Sequence, residues 1–486
     1  MTVEPSLGLR IPSEIFRFFN APGGHSLIVR GGAGTGKTTF ALQVIEDLSR
    51  ETVGYYLSTR VSDRSLLTQF PWLKERLIYD PVRRDEHVMS GKKRSGLAKL
   101  KGINIDYQTG QTKEMSISIG RQLTDLECIY QLVEADRIKR MLFVIDSVDA
   151  MAEKYGLDQA MLIASLQKDL VEGYGQNVLY VLESPEQLLD YLGDGVVVIS
   201  ASELDKRRVR EIELVKLRGC EILRPRYLFT LKGGQMLTFD EKMTERANII
   251  GPWSPIKDSD GKMSTGMADV DRMVGGGIER GSIILIEIGH NVPLRVAEQL
   301  ERSFVANFVS LGRGVLWFPS RRSSAESIRS QMLELVPKEI FDRQVRIPEV
   351  ASQVEISAPY IMPVEGTNAG TDLKWRSVSY MLSNGEQPYL SVLGFDTLES
   401  IYGEKVVDQI MDHLGAMKKN NGVCLCVASS STVSKDRLAD MAYVHVKLDK
   451  IGGTTIMYGI RPFTECNAVT FQSDGHKTKV VLTQVV

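Results

Sequence analysis

The sequence predicts an α/β fold with two tandem domains, each built on a mainly parallel sheet flanked by helices. Two observations predict it. The chain has 486 residues, which is more than one hydrophobic core usually organises. Short apolar runs also occur twice in the same order, and most are separated by helical patterns, as in parallel sheets covered by helices. A polar, proline-containing stretch lies between the two copies, so we predict domains at 1–245 and 246–486.

The repeated runs are the expected core strands. In the first half they are HSLIV (25–29), VGYYLS (53–58), MLFVID (141–146), NVLYVLES (177–184) and GVVVIS (195–200). In the second half they are GSIILIEI (281–288), GVLWF (314–318), YLSVLGF (389–395), GVCLCVAS (422–429) and AYVHVKL (442–448). Helical patterns at 161–175 and 405–422 both end near glycine, as helices often do.

The composition excludes several classes of protein. Lysine and arginine number 59 against 61 aspartates and glutamates, so any polyanion-binding surface must be local. No apolar run is long enough for a membrane span, and the amino-terminal residues lack the layout of a signal peptide. Five cysteines without C-x-x-C spacing suit a reducing compartment. We therefore expect a cytoplasmic protein with no membrane contact.

A phosphate-binding loop follows the first strand. Residues 31–38, GGAGTGKT, carry the full G-x-x-x-x-G-K-T pattern, and a helical pattern follows it. Backbone N–H groups of such a loop hold phosphate oxygens, the lysine reaches the β- and γ-phosphates, and the threonine hydroxyl binds Mg²⁺. The predicted ATP contacts are Gly31, Gly32, Ala33, Gly34, Thr35, Gly36, Lys37, Thr38 and Thr39.

A second motif completes the predicted metal site. The buried-strand pattern MLFVID ends at Asp146, and a carboxylate at the end of a core strand beside a phosphate loop can hold Mg²⁺. Thr38 and Asp146 are therefore the expected metal residues, and Lys37 and Asp146 are expected to be catalytic.

The layout resembles the KaiC-like branch of the RecA-type ATPases over almost the whole chain. Residues 264–289, STGMADVDRMVGGGIERGSIILIEIG, are similar to the opening of a KaiC-type domain. GDGVVVIS at 193–200 is followed by the basic strand ELVKLRGC at 213–220. In KaiC-like proteins a lysine and an arginine in such a K-x-R-G segment reach the nucleotide of the neighbouring subunit. The resemblance thus implies that role for Lys216 and Arg218, in a homo-oligomer such as a ring.

Within that branch, a tandem chain with one intact phosphate loop and a basic stretch most resembles the archaeal gas-vesicle regulators of the GvpD family. This resemblance implies a nucleotide-dependent switch that acts on a regulatory protein partner.

The second domain keeps the opening motif and departs at the phosphate loop. HNVPLRV follows Gly289, so Pro293 removes a backbone donor and Leu294 with Arg295 replaces lysine and threonine. Asp396 matches the strand-end carboxylate, and we interpret it as structural. The second domain is predicted to be a pseudo-ATPase.

The first domain departs at the residue that would activate water. KaiC-type proteins have glutamates at the end of the strand after the first helix, where this chain has Ser58, Thr59 and Arg60. Arginine stays charged and cannot accept a proton. Glu183, at the end of another strand, is the nearest substitute, so we predict ATP binding and leave open an ATPase activity of low turnover. Arg60 could sense the γ-phosphate or be an ordinary loop residue.

A basic segment at 83–101 leaves an alternative function open. Its cations include Arg83, Arg84, Lys92, Lys93 and Arg94, which could bind nucleic-acid phosphates or an acidic protein, or simply keep a loop soluble. The alternative is a DNA-associated RecA-family ATPase similar to recombinase paralogues. Without interleaved aromatic residues, base stacking is disfavoured. A second basic run, Lys206 to Arg208 with Arg210, is a candidate for a subunit interface.

Overall fold

The computed structural model describes residues 10–49, 51–59, 63–75, 124–135, 140–239, 251–320, 323–351, 358–382, 386–473 and 478–486. The chain divides into two compact units, which comprise residues 1–238 with 486 and residues 239–485. The boundary predicted at 245/246 falls among residues 240–250, outside the described ones.

Unit 1 alternates strands and helices through most of its length. Its helices are α1 (Ser13–Asn20), α2 (Lys37–Leu48), α3 (Asp63–Gln69), α4 (Trp72–Glu75), α5 (Thr124–Ala135), α6 (Val148–Tyr155) and α7 (Gln159–Leu166), which continues as a π-helical stretch, Gln167–Gly173. Its strands are β1 (Ser26–Arg30), β2 (Val53–Ser58), β3 (Met141–Asp146), β4 (Asn177–Val181), β5 (Gly195–Leu204), β6 (Arg207–Leu217), β7 (Arg226–Thr230) and β8 (Leu237–Thr238).

The unit 1 strands form one eight-stranded sheet in the order β2-β3-β4-β1-β5-β6-β7-β8. The first five strands are parallel, and β6, β7 and β8 continue the sheet antiparallel. Both faces of the central strands are buried because successive side chains point to opposite sides. Leu27 and Val29 pack with α2 on one face, whereas Ile28 packs with α6 and α7 on the other.

Unit 2 has the same alternation with additional short helices. Its helices are α8 (Ala268–Met273), α9 (Leu294–Ser310), α10 (Ala325–Met332), α11 (Lys338–Gln344), α12 (Ala369–Asp372), α13 (Trp375–Met381), α14 (Phe395–Tyr402), α15 (Val406–Gln409), α16 (Met411–Lys419) and α17 (Lys435–Met441). Its strands are β9 (Ile283–Ile288), β10 (Arg313–Phe318), β11 (Val345–Val350), β12 (Ile361–Val364), β13 (Glu386–Gly394), β14 (Val423–Ser429), β15 (Val444–Ile451), β16 (Thr454–Arg461), β17 (Asn467–Ser473) and β18 (Thr478–Gln484).

The two sheets have the same internal strand order. The unit 2 sheet runs β12-β11-β10-β13-β14-β9-β15-β16-β17-β18. From β10 onward this order reproduces that of unit 1 strand by strand, with β9 in the place of β1 and β13 in the place of β3. The strands β11 and β12 are an addition beside β10. The predicted fold, two tandem RecA/KaiC-like P-loop domains of the α/β class, is confirmed.

The S-T-G motif of the second half has a structural role. Asp271 in α8 accepts hydrogen bonds from Ser264 Oγ at 2.5 Å and from Thr265 N and Oγ1 at 2.8 and 2.6 Å. Gly277 lies so close to the preceding segment that an added Cβ would be 2.7 Å from Met263 O. The motif is therefore a buried polar network that closes the entry segment onto β9, with its carboxylate fully used by hydrogen bonds.

Within the described part of the chain, none of the helices combines the length and the apolar character needed to cross a bilayer.

Candidate nucleotide-binding site

The phosphate loop of unit 1 joins the buried central strand β1 to the first turn of α2. An added Cβ at Gly31 would lie 2.1 Å from Ile199 O, so only glycine allows the loop to pass this close to β5. Gly36, at the N-cap of α2, has φ +113°, which L side chains rarely adopt. Ala33 and Gly34 at the tip of the loop are exposed. The loop thus has the backbone shape that phosphate binding requires.

Lys37 is folded onto its own loop. Its Nζ donates to Gly31 O at 2.7 Å and to Gly32 O at 2.8 Å, and the side chain is largely buried. Burial lowers the pKa of Lys37, and the nearby acids Glu183, Asp146 and Asp149 oppose this shift. The ammonium group is held at the mouth of the loop by neutral carbonyl groups, which a phosphate oxygen can replace.

Thr38 and Asp146 meet as the sequence predicts. Thr38 Oγ1 donates to Asp146 Oδ2 at 2.7 Å, which joins the start of α2 to the end of β3. The same oxygen accepts a second hydrogen bond, from Tyr56 OH, at 2.6 Å. Burial and the neighbouring Asp146 carboxylate raise the pKa of Tyr56, so its hydroxyl remains a donor. A hydroxyl and a carboxylate oxygen at this separation are hard ligands that suit Mg²⁺.

Glu183 lies between the two motifs. It follows β4, and β4 pairs with β3 on one side and with β1 on the other. Glu183 Oε1 accepts from Ser147 Oγ at 3.2 Å, and its backbone N–H donates to Asp149 Oδ2 at 2.8 Å. Among the nearby acids, the Glu183 carboxylate has the largest electrostatic effect in favour of the ammonium form of Lys37. The predicted residues Lys37, Thr38, Asp146 and Glu183 are therefore gathered at the carboxyl edge of three adjacent strands.

Lys216 and Arg218 lie at the opposite edge of the sheet from the four residues above. β6 runs antiparallel to β5, so Leu217 pairs with Gly195 at the amino edge of the sheet. Arg218 NH1 donates to Asp194 Oδ1 at 3.0 Å, and its side chain is 70% exposed. Lys216 Nζ donates to Asp190 O at 3.2 Å. The phosphate loop leaves the opposite end of β1, about 13 Å away at the usual rise per strand residue, so these cations do not approach their own phosphate loop.

Arg30 holds the segment that follows Glu183. The Arg30 guanidinium forms an ion pair with Asp190 at 2.9 Å and donates to Pro185 O at 2.6 Å. The ion pair is largely buried, so removing one partner would leave an uncompensated charge. The sequence motifs do not single out Arg30, because it lies between the apolar run at 25–29 and the glycine-rich loop that begins at Gly31.

Within the second basic run, Arg210 contacts the phosphate loop. Arg207 is buried and donates to Asp205 O at 2.6 Å. Arg210 NH1 donates to Gly34 O at 2.8 Å and to Thr35 O at 2.9 Å, and its Nε donates to Val486 O at 2.9 Å. Of the arginines in this run, only Arg208 is exposed. Two of these three arginines thus support their own unit rather than lie open to a second subunit.

Unit 2 has no equivalent phosphate loop. β9 ends at Ile288 and α9 begins at Leu294, so five residues separate them, against six between β1 and α2. Gly289 N donates to Leu448 O at 2.8 Å, Val292 N donates to Gly289 O at 3.2 Å, and Pro293 has no N–H. Of the five residues of this loop, two therefore use their N–H groups internally and a third has none.

Asp396 is engaged by its own unit. Its Oδ1 accepts from Ser429 Oγ at 2.9 Å and from Thr432 Oγ1 at 2.7 Å. These contacts join the start of α14 to the end of β14. Helix position 295, which corresponds to Thr38, holds arginine and offers no hydroxyl.

Several predicted residues lie outside the described part of the chain. These are Arg60, Arg83, Arg84, Lys92, Lys93 and Arg94. Among the residues that are described, no group of three or more His, Cys, Asp and Glu side chains is arranged to hold a metal ion.

Two sequence families match this chain. The GvpD gas vesicle protein, P-loop domain, matches residues 15–215, and GvpD basic region 2 matches residues 252–358. Protein GvpD1 of Halobacterium salinarum is 22% identical over 98% of this chain and 96% of its own length. Protein GvpD2 of the same organism is 23% identical with the same coverage. The circadian clock oscillator protein KaiC of Synechococcus elongatus is 24% identical over 54% of this chain and 48% of its own length.

Proposed function

We propose that this chain, which matches the GvpD P-loop domain over residues 15–215 and is similar to GvpD1 and KaiC, binds ATP with Mg²⁺ in unit 1 and acts as a nucleotide-dependent switch on a protein partner. One observation carries the proposal. Lys37, Thr38, Asp146 and Glu183 converge on one loop in unit 1, whereas the corresponding loop of unit 2 has no lysine and uses the amides of Gly289 and Val292 internally.

Each residue has a role in this proposal. The loop amides and Lys37 hold the β- and γ-phosphates, and Lys37 exchanges its two carbonyl partners for phosphate oxygens. Thr38 and Asp146 hold Mg²⁺, which neutralises charge on the phosphates when it is bound. Asp146 is kept in place by Tyr56 when Thr38 turns its hydroxyl oxygen toward the metal.

Glu183 is the proposed proton acceptor for the attacking water. It is the carboxylate at the carboxyl end of the strand between β3 and β1, beside Ser147. A side chain in this role contributes about 10²- to 10⁴-fold to a rate, so turnover depends on Glu183 while binding does not. We expect slow hydrolysis, because β2 ends at Ser58 and is followed by Thr59, where KaiC-type proteins have glutamates.

Lys216 and Arg218 fit a role toward a second copy of the chain. They lie at the amino edge of the sheet, opposite the phosphate loop, so a head-to-tail neighbour would bring them to its partner's nucleotide. Their contacts with the segment at 190–194 position them within their own unit. Occupancy of the site would in this way be linked to assembly and to the shape that the partner protein meets.

The test is nucleotide binding by the full chain and by Lys37→Ala, measured by titration calorimetry with Mg²⁺. We expect the dissociation constant for ATP to rise at least about 100-fold in Lys37→Ala, because two or more charge-assisted hydrogen bonds to phosphate are lost. The exposed Lys168, changed to alanine, is the matched control and should bind as the wild type does. Normal ATP binding by Lys37→Ala would refute the site.

The switch is tested on the same samples. Light scattering with and without ATP should show a nucleotide-dependent change in mass, and Glu183→Gln should retain binding and lose hydrolysis, with Glu186→Gln as control. Salt-sensitive binding to DNA that is lost when Lys92, Lys93 and Arg94 are neutralised would instead favour a DNA-associated ATPase. A mass that is the same in both nucleotide states would contradict the switch.

A further inference from the structure

The phosphate loop is supported from behind by one buried cation. Arg210 lies on β6, opposite Ala201 on β5, and the β5–β6 pair extends beyond the end of β1. From there its NH1 group donates to both Gly34 O and Thr35 O, at 2.8 and 2.9 Å. A loop that turns its N–H groups toward a phosphate must turn carbonyl groups away from it, and these outward carbonyls are the ones that Arg210 binds.

Two cationic side chains thus donate hydrogen bonds to carbonyl groups of the phosphate loop. Lys37 holds the carbonyls of Gly31 and Gly32, and Arg210 holds those of Gly34 and Thr35. If Lys37 moves to a phosphate, its hold on the loop is lost at the moment of binding. Arg210 then remains as the side-chain cation that fixes the loop backbone.

The charge of Arg210 is not neutralised by a side chain. Arg210 is only 7% exposed, and among the described residues no carboxylate side chain forms an ion pair with it. Burial and the neighbouring Arg208 lower the pKa of Arg210, yet a guanidinium group stays protonated at neutral pH. Its hydrogen bonds go to backbone oxygens, those of Gly34, Thr35 and Val486, and a neutral donor could make such bonds at a lower desolvation cost than a buried cation. A positive charge behind an anion-binding loop recovers part of that cost when the anion binds.

We propose that Arg210 is a positioning residue of the nucleotide site, which keeps the phosphate loop open for triphosphate and adds positive potential to it. The proposal rests on ATP binding in unit 1. It also assigns Arg210 to its own loop rather than to a subunit interface.

The test compares Arg210→Gln with Arg208→Gln, since Arg208 lies two residues away on the same strand, is exposed and carries the same charge. The measured quantity is the dissociation constant for ATP, ADP and adenosine. We expect Arg210→Gln to weaken ATP binding about 10- to 100-fold, the range for lost hydrogen bonds of a charged group. The loss should be smaller for ADP and absent for adenosine. Arg208→Gln should remain within about twofold of the wild type, as expected for an exposed charge.

A second variant covers the case in which Arg210→Gln fails to fold. Arg210→Lys keeps the charge and loses the planar fork, so we expect ATP binding about three- to tenfold weaker than in the wild type. Equal ATP binding by the wild type and either folded Arg210 variant would overturn the proposal. An equal loss for ATP and adenosine would also overturn it, because general damage to the fold does not distinguish phosphate from nucleoside.

Failure of the broader function would look different. A wild-type protein without ATP affinity, or a Lys37→Ala variant with normal affinity, would refute the site itself. Binding that is lost in Lys37→Ala and kept in Arg210→Gln would refute only the role of Arg210.

Discussion

Tyr56 is proposed to orient the metal-binding carboxylate of Asp146 through one hydrogen bond. Its hydroxyl and that of Thr38 both donate to Asp146 Oδ2, at 2.6 and 2.7 Å. When Thr38 turns its oxygen toward a metal ion, Tyr56 is left to orient the carboxylate. A buried donor that fixes a metal-binding carboxylate typically affects metal affinity by 10- to 100-fold.

We predict that Tyr56→Phe raises the Mg²⁺ concentration needed for half-maximal ATP binding by about tenfold. ATP binding measured without Mg²⁺ should be unchanged, because Tyr56 acts through Asp146, the carboxylate proposed to hold the metal. Calorimetric titration of ATP at a series of Mg²⁺ concentrations measures both quantities.

Tyr55→Phe is the control, since Tyr55 is on the same strand, on the opposite face, stacked on Phe143 at a ring distance of 5.4 Å. It should have the Mg²⁺ dependence of the wild type. The same Mg²⁺ requirement in Tyr56→Phe and in the wild type would show that Asp146 does not need this donor.

The site residues that sequence predicts are those that lie in one short motif or at the end of a recognisable strand. Lys37 and Thr38 are contiguous, and Asp146 ends a buried apolar run. Tyr56 and Arg210 are different, because they contact the site across 90 and 175 residues. Tyr56 is indistinguishable from a core aromatic until the pairing of Ser58 with Asp146 places it beside the carboxylate.

At the scale of single elements, α9 contains an acid in an unusual environment. Glu301 is 1% exposed, and its Oε2 accepts from Trp317 Nε1 and Ser320 N, both at 3.2 Å. In the described part of the chain, Oε1 has no hydrogen-bond partner. Burial raises the pKa of Glu301 to about 7, against the opposing effect of these hydrogen bonds, and the nearby Glu298 adds to the rise.

We predict that the free energy of unfolding of unit 2 falls as the pH rises from about 4.5 to about 7. The folded-state pKa of about 7 lies above the ordinary glutamate value of 4.5, so the folded state binds the proton more tightly. The stabilisation is present in full below pH 4.5, the ordinary pKa of glutamate, and is lost as the pH rises through the folded-state pKa of about 7. The total change is about 3 kcal/mol. Urea unfolding followed by tryptophan fluorescence between pH 5 and 8 measures it.

Glu301→Gln should flatten this pH dependence and be more stable than the wild type at pH 8. The control is Glu326→Gln, which removes an exposed carboxylate on α10 and should keep the wild-type slope. Parallel slopes for Glu301→Gln and the wild type would mean that another group causes the pH dependence, or that none exists.

The sequence predicts the central parallel strands of both sheets but not most of the peripheral strands. The central strands are continuous apolar runs because both of their faces are covered. β11 and β12 contain Pro348 and Pro363, and proline lacks the N–H that a strand uses in pairing, so these segments do not have a strand pattern. β16, β17 and β18 follow β15 as antiparallel neighbours with no helices between them. A pattern of strands that alternate with helices therefore does not predict them.

At the scale of the whole molecule, the chain contains one architecture twice with two different loops at the same place. The strand order is shared from β2 to β8 and from β10 to β18. Only unit 1 combines an open loop with a lysine, a hydroxyl and a strand-end carboxylate. In unit 2 the amides of Gly289 and Val292 are bonded internally, and Asp396 is bonded to Ser429 and Thr432. Similar folds therefore need not imply similar ligands.

We predict that the chain binds one equivalent of ATP, although it contains two units of the same fold. The expected calorimetric stoichiometry is one nucleotide per chain for the wild type and none for Lys37→Ala. Arg295→Ala removes the cation at the start of α9 and should leave the stoichiometry and the dissociation constant unchanged, because the loop before it lacks the lysine and two of its amides are bonded internally. Two equivalents in the wild type, or one equivalent that survives Lys37→Ala and disappears in Arg295→Ala, would place a nucleotide in unit 2. The internal hydrogen bonds of Gly289 and Val292 would then have to open on binding, which amide hydrogen exchange of this loop with and without ATP would detect.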